Sequence, residues 1–171
     1  MKSAPQLVQY QGSKRKLAPQ ILPFFPDGIH RLVEPFSGMA AITVACAMEQ
    51  KADSYWINDV NSSLIGVIES AINNPEGLYE GYKAIWDAQY SFEEGHIAHY
   101  YRIRDEYNDG DTSAAVTLYL LARCVKGAVR YSADGKFNQS PDKRRHGTKP
   151  ERVLKSAIAL NKLLYGRVKL T

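Results

Sequence analysis

Between residues 31 and 72 the sequence alternates strand, helix, strand and helix, and that order leaves few folds open. Residues 31–36 are a short β-prone run closed by a proline. Residues 39–50 are alanine-rich, with Ile42, Cys46 and either Met48 or Ala45 at inward helical spacing. Residues 54–60 form a second β-prone run. Asn61 then stands as an N-cap before a helical stripe of Leu64, Ile65, Ile68 and Ile72. Four such elements within about 45 residues predict a right-handed βαβ unit of a parallel sheet.

Around this unit, residues 10–22 read as a glycine-containing loop passing into an amphipathic helix with Leu17, Ile21 and Leu22 on one face. From residue 75 to 122 the pattern is helical. Residues 128–138 then place two β-prone runs around Asp134-Gly135, a favoured hairpin turn. Thr148-Lys-Pro-Glu151 reads as a capping box opening a last helix that ends at Gly166, and residues 167–171 alternate like an incoming strand.

At 171 residues and 44% hydrophobic, the chain is able to bury one sizeable core. The N-terminal residues lack the apolar stretch of a signal peptide, and no apolar run approaches the roughly 20 residues of a membrane span. The expectation is a cytoplasmic protein with no membrane partner. Cys46 and Cys124 fall within apolar helical patterns and read as buried free thiols, with no metal site implied.

Charge is distributed unevenly. Residues 123–152 carry nine Lys or Arg against three Asp or Glu, and residues 76–111 carry the reverse, three against nine. A basic block of this kind is either a solvated loop or a surface that meets a polyanion. Within it, Lys126, Arg130, Tyr131, Lys136, Asn138, Lys143, Arg144 and Arg145 combine phosphate-binding cations with a stackable ring and an amide able to read base edges, the mixture that DNA recognition requires.

Three further clusters carry chemistry. Glu34-Pro-Phe-Ser-Gly38 closes the first strand, where a parallel sheet places ligands and a glycine lets backbone approach them. Asp59 closes the next strand about 20 residues on, placed to accept ribose hydroxyls. Its alternative is an N-cap, a task that Asn58 and Asn61 would take over, leaving Asp59 free. Tyr10-Gln-Gly-Ser-Lys14 is a loop able to cover a small charged group with its ring and lysine, or simply a helix start capped by Ser13. Neither GxGxxG nor a Walker phosphate loop is present, which disfavours a nucleotide-binding oxidoreductase.

In this order, YQGSK, EPFSGMA, NDVN and the basic hairpin resemble the Dam-type DNA N6-adenine methyltransferases, and the similarity extends through residues 100–123 to most of the chain. The resemblance implies S-adenosylmethionine as cofactor, with Tyr10, Lys14, Glu34, Pro35, Phe36, Gly38 and Asp59 holding it. It implies double-stranded DNA as partner, met by the basic residues named above, with Tyr131 wedging or stacking beside a flipped adenine. The implied fold class is α/β: a partial Rossmann-like methyltransferase sheet with a helical target-recognition lobe containing a β-hairpin. Residues 1–74 would form the cofactor-binding core, 75–150 the recognition lobe, and 151–171 a return helix and strand.

Two small residues depart from the family pattern: Ser13 stands for the second glycine of GGK, and Ala40 for the second glycine of GxG, a hydroxymethyl and a methyl that the site either tolerates or finds crowding the cofactor. The larger departure is that the family's catalytic D/N-P-P-Y/F turn is absent from the sequence; Asn74-Pro-Glu76 and Ser140-Pro-Asp142 lack its second proline and ring. No residue here is therefore assigned to catalysis. The expectation is a subunit whose catalytic turn comes from a second protein chain, inactive by itself. The alternatives are an inactive methyltransferase-like DNA-binding protein and a truncated fragment.

Overall fold

The computed structural model describes residues 4–171; residues 1–3, the start of the stretch read above for signal-peptide character, lie outside the described residues. Its sheet has three parallel strands in the order β1 (Ile29–Glu34), β2 (Ala52–Ile57) and β3 (Val168–Leu170). Leu32 is opposite Tyr55, and Tyr55 is opposite Val168. Helix α2 (Ala41–Met48) makes the crossover from β1 to β2. The route from β2 to β3 is far longer, through α3 (Ser62–Asn73), α4 (Pro75–Ser91), α5 (Gly95–Asn108), α6 (Ala114–Arg123) and α7 (Pro150–Leu164).

The helical lobe is thus inserted into a βαβ crossover whose two ends lie side by side. Helices α3 and α7 pack together, and Asn161 Nδ2 donates to the Ile72 carbonyl at 2.7 Å. Helix α4 packs on both α6 and α7. One buried cluster runs from Val44 and Ile57 beneath the sheet, through Ile68 and Ile72, to Leu118, Leu120 and Val153. Both cysteines are buried free thiols within it. No helix among the described residues is long and apolar enough to cross a membrane.

Local chemistry explains where elements begin. Asn61 caps α3, its Oδ1 accepting the Leu64 amide at 3.3 Å, and Leu64, Ile65, Ile68 and Ile72 are all buried as expected. Four expectations need correction. The N-terminal helix is only α1 (Ala18–Ile21), flanked by 3₁₀ turns, because Pro19 and Pro23 interrupt the backbone ladder; Leu17 is 47% exposed while Ala18 and Leu22 are buried. Helix α2 buries Thr43, Val44, Cys46 and Ala47, leaving Ile42, Ala45 and Met48 only partly covered. Thr148 does not cap α7: Lys149 occupies that position without a side-chain bond, Pro150 supplies the helix start, and the Thr148 carbonyl instead accepts the Tyr82 hydroxyl.

Residues 128–138 form no extended strands but an irregular antiparallel ribbon that reaches further back than expected. It is bridged at Tyr131–Phe137 near the tip and at Cys124–Pro141 near the base. The Val125 amide donates to Ser140 O at 3.0 Å, Asn138 N donates to Arg130 O at 3.0 Å, and Gly135 turns the tip with φ +79°.

Candidate cofactor and DNA site

At the carboxyl ends of β1 and β2 a cavity of about 190 Å³ is lined by Tyr10, Lys14, Glu34, Phe36, Gly38 and Asp59, along with Gly12, Ser13, Ser37, Met39 and Ala41. Three sequence segments distant in the chain therefore converge, as their order suggested. Pro35 is outside the lining; its carbonyl accepts Asn58 Nδ2 at 2.8 Å.

Each acid is more engaged than the sequence implied. Ala40, which precedes α2, has no side chain to cap it, and Glu34 reaches across from β1 to do so. Its Oε2 accepts the Thr43 amide at 2.9 Å and the Thr43 hydroxyl at 2.6 Å, while Oε1 accepts the Ile42 amide at 3.3 Å. Burial pushes the Glu34 carboxyl above its ordinary value, against the lowering effect of these bonds.

Asp59 is not left free by Asn58 and Asn61. Its Oδ2 accepts the Gly38 amide at 2.8 Å, and its Oδ1 accepts the Asn61 amide at 3.0 Å. The acid closing β2 therefore clasps the turn closing β1. Each carboxylate oxygen retains a second lone pair, so Asp59, which lines the cavity, keeps acceptor capacity beyond the clasp.

Gly38 is required twice over. Its φ is +51°, and a Cβ there would stand 2.8 Å from the Tyr10 ring. Burial, and then the nearby Asp59 charge, raise the Tyr10 hydroxyl above its ordinary value. Lys14 is exposed and donates to Gly12 O at 2.9 Å. Ser13 accepts the Arg15 amide at 3.4 Å, capping the turn that follows, and the same residue lines the cavity. Ala40 is outside this cavity's lining and instead lines a neighbouring hollow with Val44, Ile68 and Leu164; its backbone is left-handed, φ +54°.

The six cations expected to meet DNA, with Asn138, sort into two groups on the ribbon. Lys126, Arg130, Lys136 and Asn138 flank its arms, and Lys143, Arg144 and Arg145 follow its base; none of the seven is buried. Arg145 pairs with Asp142 at 2.8 Å. Arg123 departs from the charge pattern. It is fully buried, donating to Asp142 O at 3.1 Å and pairing with His96 Nδ1 at 2.9 Å, so it anchors the ribbon from inside.

Tyr131, 41% exposed, has its hydroxyl held by Asn61 Nδ2 at 2.9 Å and by the Tyr107 hydroxyl at 3.0 Å. Sequence reasoning missed three residues that set the ribbon. Asn108 accepts the Phe137 amide at 2.8 Å and donates to the Phe137 carbonyl at 3.1 Å; Tyr100 donates to Gln139 O at 2.9 Å; Tyr107 meets Tyr131. Their spacing on α5 puts all three on one helical face, a signal present in the sequence.

Residues 10–163 match the model of a protein family described as D12 class N6 adenine-specific DNA methyltransferase. The chain belongs to this family. A D12 class methyltransferase uses S-adenosylmethionine, and the cavity suits it: carboxylate acceptors, a ring and a glycine turn converge where a parallel sheet receives nucleosides. Among curated proteins the chain is 26% identical over 137 residues to the retron Ec67 DNA adenine methylase of Escherichia coli, a match covering 77% of this chain and 45% of that protein. It is 28% identical over 134 residues to the DNA adenine methylase of Haemophilus influenzae, covering 77% and 44%. It is 25% identical over 143 residues to the type II methyltransferase M.MjaIII of Methanocaldococcus jannaschii, covering 77% and 50%. The chain thus spans about half the length of the curated relatives it matches. Among the described residues, no cluster of His, Cys, Asp or Glu is suited to hold a metal ion.

Proposed function

We propose that this D12 class chain is the cofactor-binding and DNA-recognition part of a site-specific DNA adenine-N6 methyltransferase, and that a second polypeptide supplies the catalytic D/N-P-P-Y/F turn. The observation that carries the reading is convergence: the Tyr10 loop, the Glu34–Gly38 turn and Asp59 surround one cavity, and the basic ribbon is hydrogen-bonded to Asn61, two residues beyond Asp59.

S-adenosylmethionine, when bound, supplies an electrophilic methyl group for transfer to nitrogen. The chain's residues bind and orient. The second lone pairs of Asp59 accept the ribose hydroxyls, Tyr10 covers the ligand, and Lys14 exchanges its Gly12 carbonyl for the ligand's carboxylate. Glu34, with Pro35, Phe36 and Gly38, shapes the turn, Glu34 doing so by fixing the start of α2. The cations of the ribbon neutralise phosphates, Asn138 reads a base edge, and Tyr131 stacks beside the extruded adenine.

Two features support a completing polypeptide. The D/N-P-P-Y/F turn is absent from the 171 residues, and the relatives are about twice as long as the matched region. Strand β1 has no neighbour on its outer side among the described residues, the side where strand order reverses in sheets of this kind and where the next strand is received. On and just after that strand Val33 and Phe36 are 48% and 90% exposed, apolar side chains suited to burial by another chain.

The test is a methylation assay on duplex DNA. The 171-residue chain with S-adenosylmethionine is expected to form no N6-methyladenine, and adding a polypeptide that carries the D/N-P-P-Y/F half of a D12 enzyme is expected to restore it. Product from this chain alone overturns the division of labour. DNA binding without product in any combination points instead to an inactive, regulatory DNA-binding protein.

A further inference from the structure

The ribbon and the cofactor cavity are joined by hydrogen bonds in series. The Gly38 amide donates to Asp59 Oδ2 at 2.8 Å, and the Asn61 amide donates to Asp59 Oδ1 at 3.0 Å. The Asn61 side chain divides its two ends: Oδ1 caps α3 through Leu64, and Nδ2 donates to the Tyr131 hydroxyl at 2.9 Å. Tyr131 directs its own proton toward Tyr107 at 3.0 Å, and Tyr107 donates to Ser63 Oγ at 2.9 Å. From Asn61 Nδ2 to Ser63 each donor has one acceptor and the direction is consistent, the arrangement in which neighbouring bonds strengthen one another.

The opposite wall of the cavity is also fastened to the ribbon. Gln11 N donates to Gly127 O at 2.9 Å, and a Cβ on Gly127 would run into the Gln9 carbonyl, so the ribbon's first turn lies flat against the Tyr10 loop. What distinguishes the Tyr131 contact is that its hydroxyl does nothing for packing. The ring stands edge-on to Phe137, and a phenylalanine would keep that contact. The hydroxyl's partners, Asn61 and Tyr107, lie outside the ribbon.

We infer that Tyr131 is a positioning residue for the cofactor pocket: through Asn61 its hydroxyl holds the 59–61 loop in the conformation in which Asp59 clasps Gly38. The meaning of the link rests on the cofactor reading above, since Gly38 and Asp59 are its far end. Occupation of the ribbon and occupation of the cavity then become coupled equilibria, each ligand altering the affinity of the other by the same factor.

The test is amide hydrogen exchange on the full chain, comparing wild type with Tyr131→Phe, Asn61→Ser and the double variant. Tyr131→Phe removes only the hydroxyl. Asn61→Ser keeps an N-cap for α3 but is too short to reach Tyr131. Both single variants are expected to speed exchange at the Gly38 amide and at the amide of residue 61 by roughly fivefold, the value of one ordinary hydrogen bond. The double variant is expected to match either single one, with α7 amides unaltered. Unchanged Gly38 exchange, additive effects, or acceleration spread equally through α7 each overturn the inference. The measurement needs no cofactor, so a chain with this exchange pattern that fails to bind S-adenosylmethionine keeps the link and loses the cofactor reading.

Discussion

Asp59 Oδ2 lies 2.8 Å from the Gly38 amide, tying the end of β2 to the turn that ends β1. This clasp joins residues 21 positions apart into one rim and gives the cavity a defined wall before any ligand enters.

Gly38 and Ala40 are expected to respond differently to substitution. Gly38→Ala puts a methyl against the Tyr10 ring on a left-handed backbone, displacing the ring. S-adenosylmethionine binding measured by calorimetry should fall at least about tenfold, and stability should drop by about 1–2 kcal/mol. Ala40→Gly relieves a left-handed alanine but removes a buried methyl, two effects of about 1 kcal/mol that oppose one another, so its melting temperature should stay near wild type.

Glu34 gives a prediction with a definite sign in pH. Its folded value lies above its ordinary 4.5, so the folded chain binds that proton more readily than the unfolded chain. Its contribution is therefore greatest below that ordinary value and declines as pH rises through the folded value. In urea unfolding, the stability of wild type minus that of Glu34→Gln should shrink from about pH 4 to about pH 7. Glu34→Ala, which strands the Ile42 and Thr43 amides, should cost about 1–3 kcal/mol at neutral pH.

His99 gives the opposite sign. It is fully buried, donates Nε2–H to Ile85 O at 3.0 Å, and accepts Arg102 at Nδ1, a pairing only the neutral ring can make. Burial lowers its folded value below 6.5, so its stability is intact above that pH and is lost as pH falls below it. The urea midpoint should drop between about pH 7 and about pH 5, and His99→Gln should flatten the slope. His96, lowered by burial and by His146 and Arg123, adds to the same trend.

The ribbon separates shape from charge. Asn108→Ala removes both bonds to Phe137 and should weaken duplex binding in a fluorescence titration while leaving its salt dependence intact. Lys143→Ala or Arg144→Ala should lower the slope of log affinity against log salt by about 1 for each phosphate no longer neutralised, uniformly across DNA sequences.

Much of this was legible in the residues. Hydrophobic period and the Asn61 cap located the βαβα unit, and the order of Tyr10, Glu34 and Asp59 located the cavity. The partners of the polar groups were not legible. Asp59 and Glu34 are occupied by backbone amides because Gly38 turns back on β2 and Ala40 cannot cap α2, and both facts depend on three-dimensional approach. Arg123 counted with the basic surface, yet α6 buries it beneath the ribbon beside His96. The ribbon's irregularity is invisible to residue patterns because its alignment is fixed by α5 through Tyr100, Tyr107 and Asn108, with few ladder bonds of its own.

The central claim is that Tyr10, Glu34–Gly38 and Asp59 form an S-adenosylmethionine pocket. Calorimetric titration of the 171-residue chain and of Asp59→Asn tests it most directly, with NAD as the control ligand. Saturable one-site binding of S-adenosylmethionine is expected, at least about tenfold weaker in Asp59→Asn, where one charged acceptor is removed, with no binding of NAD. Absence of binding to the folded wild-type chain, or equal affinity in the variant, would contradict it.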